Sequence, residues 1–370
     1  MNLILTNAEI RELVEAGAKA PSGGNVQAWL VDAYKNGLEL SVDPARSTLL
    51  DAGRLASFLS LGCFLENVLI LSEKKGLFFQ VKLVDRKQLI NPVIQLLLNR
   101  KSTTKKSGQN LANYINKRLT NRKMYDGEII SKNLIDELRK SIHQRSISVT
   151  NKSKLTLYLE SNENKKKNLA EILGKVDRIQ NMNDVLFRQL LKELRFSQKE
   201  IKETRDGIDV NTMEFPGNVV RMIQLMRSHP NVRKIIPKTA FERQSRPLLR
   251  GCSHLGCLTT NWPINRETMI DAGQGLERLW LTATRLNLAF HPWTVLTFFL
   301  IRVHKLKGKG FNSQEITELK QLEVQFKKLF NIRPHDTPIL IFRLSKAKPP
   351  SALALRRFYT DFTRVKDELL

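Results

Sequence analysis

The sequence has few cysteines, few carboxylates and no long apolar run, and each shortage excludes a class of protein. Only three of its 370 residues are cysteines, namely Cys63, Cys252 and Cys257. So small and odd a number gives no disulfide framework, which makes a reducing cytoplasm the expected compartment. The spacing between Cys252 and Cys257 matches no common zinc pattern. We therefore expect no metal site, and we expect these two thiols to be buried or next to a strand.

The most apolar stretch is too short to span a bilayer. Residues 290–303 are interrupted by Pro292, Trp293 and Thr297, whereas a spanning helix needs about 20 apolar residues. The opening residues, Met-Asn-Leu-Ile-Leu, lack the basic start and the long apolar core of a signal peptide. We therefore expect a cytoplasmic protein that has no membrane partner.

Acidic residues are scarce, because 36 Asp and Glu face 61 Lys and Arg and leave a net charge of +25. Such a charge attracts nucleic acid, acidic lipid or a phosphorylated cofactor. The basic residues are spread over 100–123, 152–175 and 344–357, and no Arg/Gly or RNP-type aromatic pattern accompanies them. A nucleic-acid partner is therefore not expected, and a solvated surface explains most of the excess.

Sequence patterns predict an α+β layered fold in which helices dominate and strands are few, short and well separated. Thr6 and Glu9 form a capping-box pattern before a helix that ends near Ala18, and Asn36-Gly37 predicts a hairpin. Further helices are predicted at residues 55–74, 111–117, 132–141, 165–178, 183–203, 266–288 and 313–329. Further strands are predicted at residues 78–84, 255–260 and 338–344.

Two stretches stand apart from these elements. Residues 101–109 are charged and contain glycine and serine, which predicts a linker between residues 1–105 and 110–370. Residues 205–250 show little periodicity and are punctuated by glycine and proline. Their length predicts an insertion that covers a site or contacts a partner.

Two helical segments resemble each other. When residues 60–69 are aligned with residues 271–280 without gaps, Gly62 meets Gly273 and Glu66 meets Glu277. Two unrelated amphipathic helices could also match over so short a window. Because both segments precede a candidate strand or turn, we favour a degenerate internal duplication.

Residues 118–122 could clamp a phosphate. In an extended chain, Arg118, Thr120 and Arg122 share one face and present two guanidinium groups and a hydroxyl. Arginine binds phosphate oxygens through paired N–H donors, which suits a dianion. A solvated basic loop is the alternative interpretation.

A second candidate is the loop of residues 20–29, Ala-Pro-Ser-Gly-Gly-Asn-Val-Gln-Ala-Trp. Its two glycines let backbone N–H groups approach a ligand closely. Ser22, Asn25 and Gln27 offer hydrogen bonds that suit a polar heterocycle or a ribityl chain. A loop that merely ends a helix is the alternative, and Arg356-Arg357, the third candidate, could equally be a basic helix terminus.

Together, and in this order, the segments resemble the nitroreductase-like family of FMN flavoproteins. The loop is similar to the family's Pro-Ser-x-x-Asn-x-Gln-Pro-Trp motif, with Ala28 in place of the second proline. Residues 118–122 resemble its Arg-Arg-Ser/Thr-x-Arg phosphate motif, with Leu119 in place of the second arginine, and residues 269–291 resemble its long central helix. The reversed motif order and the nearly doubled length are similar to the mycobacterial Acg-type branch and to the nitroreductase-like domain fused to ThiF-type adenylating domains.

The resemblance implies two degenerate nitroreductase-like copies that form a pseudo-dimer within one chain and bind one FMN. Residues 1–105 would be the first copy, and residues 110–370 the second, with a lid-like insertion near 205–250. The first copy would supply Pro21, Ser22, Gly23, Asn25 and Gln27. The second would supply Arg118, Thr120 and Arg122, with Arg356 or Arg357 closing the phosphate site.

The implied activity is that of an FMN-dependent NAD(P)H oxidoreductase. NADH or NADPH would pass a hydride to flavin N5, and a small-molecule electron acceptor would then be reduced in a ping-pong cycle. Because the flavin carries this chemistry, we name no catalytic side chain, and we expect His291 to be structural. The alternative is a flavin-binding or sequestering protein with little turnover, or a partner of a ThiF-type adenylating enzyme.

Overall fold

The computed structural model describes residues 4–84, 93–99, 110–124, 128–144 and 154–370. The predicted linker at residues 101–109 lies outside them. The helices of the described part are α1 (Asn7–Ala18), α2 (Leu55–Lys75), α3 (Lys132–Ser141), α4 (Glu163–Met182), α5 (Asp184–Glu193), α6 (Gln198–Thr204), α7 (Gly217–Ser228), α8 (Lys238–Gln244), α9 (Arg246–Arg250), α10 (Arg266–Arg285), α11 (Val295–Lys305) and α12 (Ser313–Phe330). Its strands are β1 (Trp29–Tyr34), β2 (Gly37–Val42), β3 (Phe78–Val84), β4 (Val93–Asn99), β5 (Leu155–Glu160), β6 (Leu194–Arg195), β7 (Ile208–Asp209), β8 (His254–Thr260), β9 (Ala289–Trp293), β10 (Thr337–Ser345) and β11 (Thr363–Val365).

The first sheet has the described strand order β11-β1-β2-β4-β3. The predicted hairpin is confirmed, since β1 pairs antiparallel with β2 from Trp29 opposite Val42 to Tyr34 opposite Gly37. The edge strand β11 comes from the far end of the chain and runs parallel to β1, with Val31 opposite Thr363. The C-terminal residues therefore complete a sheet that the N-terminal residues begin.

The second sheet is antiparallel, and its described strand order is β5-β8-β10-β9. Every residue of β8 is buried, because one face of this sheet packs on α4, α11 and α12 while the other shares a core with the first sheet. The result is the mixed α+β layered fold that the sequence predicts.

Helices α2 and α10 lie against each other in that shared core. They meet at glycines: a Cβ on Gly62 would lie 2.0 Å from the carbonyl oxygen of Ile270, and a Cβ on Gly273 would lie 2.0 Å from that of Leu59. Only residues without side chains allow two helix backbones to approach so closely. The close approach lets the two helices form the central layer of the fold.

Helix α2, extended to residue 52, is long and apolar enough to cross a membrane by length and composition alone. Its apolar window has a mean hydropathy of 1.8, and 89% of that window is buried inside the protein. The burial shows that α2 serves here as a core helix. The stretch 290–303, taken from sequence as the most apolar, instead forms β9 and most of α11.

Two helix predictions are wrong, and some strands were not predicted. Residues 111–117 form only a 3-10 turn at Ala112–Tyr114, since Leu111 and Ile115 turn into a small cluster beside α2 and α10. The predicted helix at 183–203 is split into α5 and α6, because residues 194–195 leave it to pair with β7. Strands β4 and β5 were not predicted, although β4 lies between β2 and β3 in the first sheet.

Residues 205–250, called the insertion from here on, contain β7, α7, α8 and α9 joined by short turns. Their first half packs on a small apolar core of its own that includes Phe187, Leu191 and Met226. Periodicity was weak in the sequence because the helices are short and half-exposed.

Candidate functional site

The loop between α1 and β1 contains a 3-10 turn at Gly23–Asn25, which begins after Ser22. Gly24, Asn25 and Gln27 all have φ between +52 and +59°. Asparagine adopts this region more easily than glutamine, so the surroundings must hold Gln27 in place. The Ser22 hydroxyl contributes by accepting the Gln27 backbone N–H at 3.1 Å.

The side chains of Asn25 and Gln27 point into the protein and are fixed by distant segments. The amide of Asn25 donates to the carbonyl oxygens of Gly207 (3.0 Å) and Leu355 (3.3 Å). The amide of Gln27, which is fully buried, donates to the carbonyl oxygen of Arg205 at 2.8 Å. The loop is thus joined to the insertion and to the C-terminal segment.

Arg356 and Arg357 both lie on this loop. Arg356 donates to the carbonyl oxygen of Ala18 (3.0 Å) and to the side-chain oxygen of Asn25 (3.1 Å). Burial, together with the nearby charge of Arg118, lowers the pKa of Arg356 to about 9. Arg357 is less buried, and its backbone N–H donates to the Gln27 side chain at 2.8 Å.

Arg118 reaches the same place from the other motif. It donates to the carbonyl oxygen of Lys19 at 2.6 Å. Its guanidinium also lies 3.3 Å from the carboxylate of Glu277 and 4.5 Å from the centre of the Trp280 ring, both on α10. Burial raises the pKa of Glu277 to about 7, and the charge of Arg118 opposes that rise. The structure therefore brings Arg118 and Arg356 together at the end of α1.

Arg122 has a different set of partners. It donates to the backbone and side-chain oxygens of Thr212 in the insertion, at 3.1 and 3.3 Å. Burial and the charge of Arg343 lower its pKa to about 10. Arg343 in turn donates to Nδ1 of His291 at 2.9 Å, and burial holds the pKa of that histidine well below its ordinary value. His291 is thus buried and accepts a hydrogen bond through Nδ1, and its structural role stays a prediction.

Thr120 lies half-buried between the two arginines in a segment without regular structure. Hydrogen bonds to its main chain hold this segment in place. The Leu119 carbonyl accepts from the indole N–H of Trp280 at 3.2 Å, and the Asn121 N–H donates to the carbonyl oxygen of Phe290 at 3.0 Å. The segment therefore lies along α10 and β9, and it directs Arg118 and Arg122 to different partners.

Electrostatically, the site is a group of buried and half-buried cations with few counter-charges. Among the described residues, Arg122, Arg343 and Arg356 form no ion pair with a carboxylate, and burial lowers the pKa of each. Their donors are directed to carbonyl oxygens and to His291 instead. Burying unpaired guanidinium groups is unfavourable, and a phosphate dianion would neutralise several of them at once. The residues present therefore fit an anionic group such as the phosphate of FMN.

The beginning of the insertion closes over this site. The N–H of Gly207 donates to the Asn25 carbonyl at 3.2 Å, and Arg205 donates to the Arg356 carbonyl at 2.7 Å. Further along, the carboxylate of Glu214 lies 2.7 Å from the Lys123 ammonium group and accepts from the backbone of Ser351. Residues 205–214 consequently bind the loop, the arginine segment and the C-terminal segment together.

Sequence inspection missed two charged residues of the site. Arg343 is the one charge within the otherwise apolar run of β10, and that interruption was the available signal. Glu193 carried no such signal. Its carboxylate lies on Gly24, since a Cβ there would be 2.3 Å from it, and burial raises its pKa to about 7.

Two cavities lie elsewhere on the described surface, and no residue of the loop or of the arginine segment lines either of them. One of about 480 Å³ lies beside Arg122's partner Thr212, and its walls include Asp209, Glu214 and Phe215. The other, of about 280 Å³, has a basic lining that includes Arg139 and Arg333.

Cys63, Cys252 and Cys257 are free and buried, which confirms the prediction for the latter two. Within the described ranges, no group of three or more His, Cys, Asp or Glu residues could hold a metal ion.

No family model matches the sequence. A protein of Mycobacterium tuberculosis (strain CDC 1551 / Oshkosh), whose name is "Uncharacterized protein MT1398", is 24% identical over 351 residues. The matched region covers 93% of this chain and 47% of that protein, so the chain spans about half the length of the curated relative.

The similar solved structures include three flavoproteins. The FMN-dependent nitroreductase NfnB from Mycobacterium smegmatis, in complex with NADPH, is 14% identical with a TM-score of 0.38 over 69% of this chain and 97% of that chain. A nitroreductase with bound FMN from Desulfitobacterium hafniense is 10% identical, with a TM-score of 0.37 over 67% and 95% of the two chains. Oxidized iodotyrosine deiodinase bound to FMN and 3-iodo-L-tyrosine is 12% identical, with a TM-score of 0.37 over 67% and 95%. The structural neighbours are thus nitroreductase-like proteins aligned over about two thirds of this chain.

Proposed function

We propose that this chain binds one FMN at Arg118, Arg122 and Arg356 and at the loop of residues 21–27. The observation that supports it most directly is the set of buried and half-buried arginines that form no ion pair with a carboxylate among the described residues. Arg356 lies on this loop, and Arg122 lies in the segment that carries Arg118 to the same place. An anion that satisfies them must bind at a place that solvent does not reach easily. A cofactor phosphate meets that requirement better than a free ion in exchange with water.

In this proposal the arginine segment and Arg356 hold the phosphate. Thr120 adds a hydroxyl, and Arg357 keeps Gln27 in its position through the 2.8 Å hydrogen bond to its side chain. The part of the loop from Ser22 to Asn25 would contact the ribityl chain and the ring. These residues would bind and orient the cofactor. The flavin carries the chemistry, so the proposal requires no nucleophile from the protein.

The bound FMN would supply hydride transfer, which makes an FMN-dependent NAD(P)H oxidoreductase the first proposed activity. NADH or NADPH would be the donor and a small molecule the acceptor. The protein's own contribution would be to exclude water, since residues 205–214 cover the loop. Opening of that cover would admit the second substrate.

We further propose that the chain is a duplicated, two-fold related pair of degenerate copies. The alignment that pairs Glu66 with Glu277 also pairs Asn67 with Arg278. In the structure, Glu66 forms a fully buried ion pair with Arg278, and the side chain of Asn67 lies near enough to Glu277 to oppose the rise in the pKa of that carboxyl group. Each contact thus recurs with the two helices exchanged, which is the pattern of an isologous two-fold interface.

The second candidate is a flavin-holding protein with little turnover, or a partner of a ThiF-type adenylating enzyme. The bonds between the insertion and the loop favour it, because they close the site from the side where a substrate would enter. The relative of about twice the length leaves room for a further domain or a separate partner.

Flavin content and reduction distinguish the candidates. The purified protein is loaded with FMN, freed of excess and mixed anaerobically with NADH or NADPH. Bleaching of the flavin within seconds supports the oxidoreductase, whereas a yellow protein that stays oxidised supports the holder. A protein that takes up no FMN refutes both.

The arginine segment is tested by Arg122→Ala, with Arg221→Ala as the matched control. Arg221 is exposed on α7 and has no role in the site. We expect Arg122→Ala to lower FMN occupancy at least about tenfold, because a charge-assisted phosphate contact is lost. Equal occupancy in both variants would remove Arg122 from the site.

A further inference from the structure

The outward side of the insertion exposes aliphatic side chains beside unpaired cations. Met222 and Leu225 on α7 are 43% and 45% exposed, and Ile235, at the end of the following turn, is 82% exposed. Arg221 and Lys238 are exposed next to them in sequence. These five residues are called the outer surface below.

The aliphatic residues of the outer surface are not needed for folding. Helix α7 already buries Met226 and packs Val220 and Ile223 on the small core of the insertion. The turn after it packs Val232 and Ile236 on the same core. Because the two elements direct these side chains inward, Met222, Leu225 and Ile235 lie on the side that faces away from the core.

The charged residues of this segment itself are all cations, and acidic side chains of neighbouring elements pair with some of them. Residues 216–241 contain five Lys and Arg and no Asp or Glu. Arg227 is paired with Glu200, and Arg233 and Lys234 lie beside Asp184. Arg221 and Lys238 form no ion pair among the described residues, and they remain available to an external anion.

We propose that the outer surface docks on an anionic phospholipid membrane. Exposed aliphatic side chains that reach the acyl boundary, with cations at headgroup level, are the features by which peripheral helices bind anionic lipid. Nucleic acid would use aromatic stacking and not three aliphatic side chains. This proposal departs from the sequence-based expectation of no membrane partner, which rested on the lack of a spanning segment, and surface docking requires no such segment.

Vesicle sedimentation with the full-length protein tests this. The probes are vesicles of phosphatidylcholine alone and vesicles with about 30 mol% phosphatidylglycerol, at about 0.1 M salt. We expect the protein to sediment with the anionic vesicles, and Met222→Gln/Leu225→Gln/Ile235→Gln to bind them about tenfold less. Arg221→Gln/Lys238→Gln should also bind the anionic vesicles about tenfold less than the unchanged protein. On neutral vesicles, this variant and the unchanged protein should not differ.

Val324→Gln is the matched control, because Val324 on α12 is 69% exposed but its helix also carries Glu315, Glu318 and Glu323. It should bind like the unchanged protein. Circular dichroism checks that each variant is folded. Equal binding by the triple variant and the unchanged protein would show only nonspecific adsorption of a +25 chain and would overturn the proposal. So would binding to neither kind of vesicle.

Discussion

Arg118 and Arg122 are four positions apart and contribute differently to the free energy of unfolding. Arg118 is the charge partner of Glu277, and both side chains are almost fully buried. Arg118→Ala leaves that carboxylate without its cation, which costs about 3 kcal/mol or more. Arg122→Ala removes hydrogen bonds to Thr212 but also a cation that lies near Arg343, so we expect a loss of about 1 kcal/mol.

Urea unfolding of the flavin-free proteins at neutral pH measures the difference. A free energy of unfolding that falls equally in both variants would show that the Arg118–Glu277 contact has no special structural role. Occupancy by FMN is measured separately, since both variants are expected to lose the flavin.

Glu193 makes stability depend on pH. Burial, with the charge of Asp51 adding to it, raises its pKa from 4.5 to about 7, although Thr48 and Gln189 donate hydrogen bonds to it. The folded protein therefore binds this proton more tightly than the unfolded chain. The stability contributed by the protonated form is complete below pH 4.5 and is lost as the pH rises through about 7.

Glu193→Gln keeps the shape of the side chain but cannot ionise. The unchanged protein should lose about 3 kcal/mol relative to this variant between acidic and slightly alkaline pH. Chemical unfolding of both proteins across that range tests it. If the difference in the free energy of unfolding between the two proteins does not change with pH, folding does not raise the pKa of Glu193.

At the scale of elements, the contact between α2 and α10 depends on two glycines. Gly62→Ala or Gly273→Ala would place a methyl group 2.0 Å from a backbone oxygen of the other helix. Backbone cannot move aside as a side chain can, so we expect a loss of more than about 3 kcal/mol. Gly217→Ala on α7 is the control, because a Cβ there meets nothing within 4 Å.

The melting temperatures of the three variants decide the point. We expect Gly217→Ala to match the unchanged protein or to melt slightly higher, since alanine favours a helix. A normal melting temperature for Gly62→Ala would show that the helices do not approach as closely as described.

Elements with strong local signals could be predicted from sequence, and those that depend on distant pairing could not. Local patterns predicted the capping box of α1, the β1–β2 hairpin and the bounds of α2. Strand β4 was not, because it is defined by partners on both sides. The helix expected at 183–203 was split by pairing with β7, which lies beyond its end.

The candidate site shows the same limit. Local motifs selected the loop, the arginine segment and Arg356-Arg357, and the family resemblance assigned Arg356 or Arg357 to the phosphate. Arg343 and Glu193 were not selected, since their importance comes from burial beside residues far away in sequence. Which ligand the site binds remains a prediction from the motifs and from the unpaired charges.

For the whole molecule, the net charge of +25 predicts a response to salt. Like charges repel more strongly in the compact state than in the unfolded chain, and salt screens them. Raising sodium chloride from about 0.01 M to about 0.3 M should therefore raise the melting temperature by a few degrees. Sucrose at matched osmolarity is the control, and phosphate is avoided because it could bind the arginines. A melting temperature that falls with chloride would contradict the expectation.

The glycine contact between α2 and α10 also has a genetic consequence. In a dimer of identical chains, every substitution at a two-fold interface is made twice. Here Gly62 and Gly273 are separate codons, so either side of the interface can change alone. Asn67 and Arg278, which occupy matched positions, already differ. Under the duplication proposed above, one half would be free to specialise in holding a ligand while the other preserves the scaffold, a division that a symmetric assembly of one gene product cannot evolve.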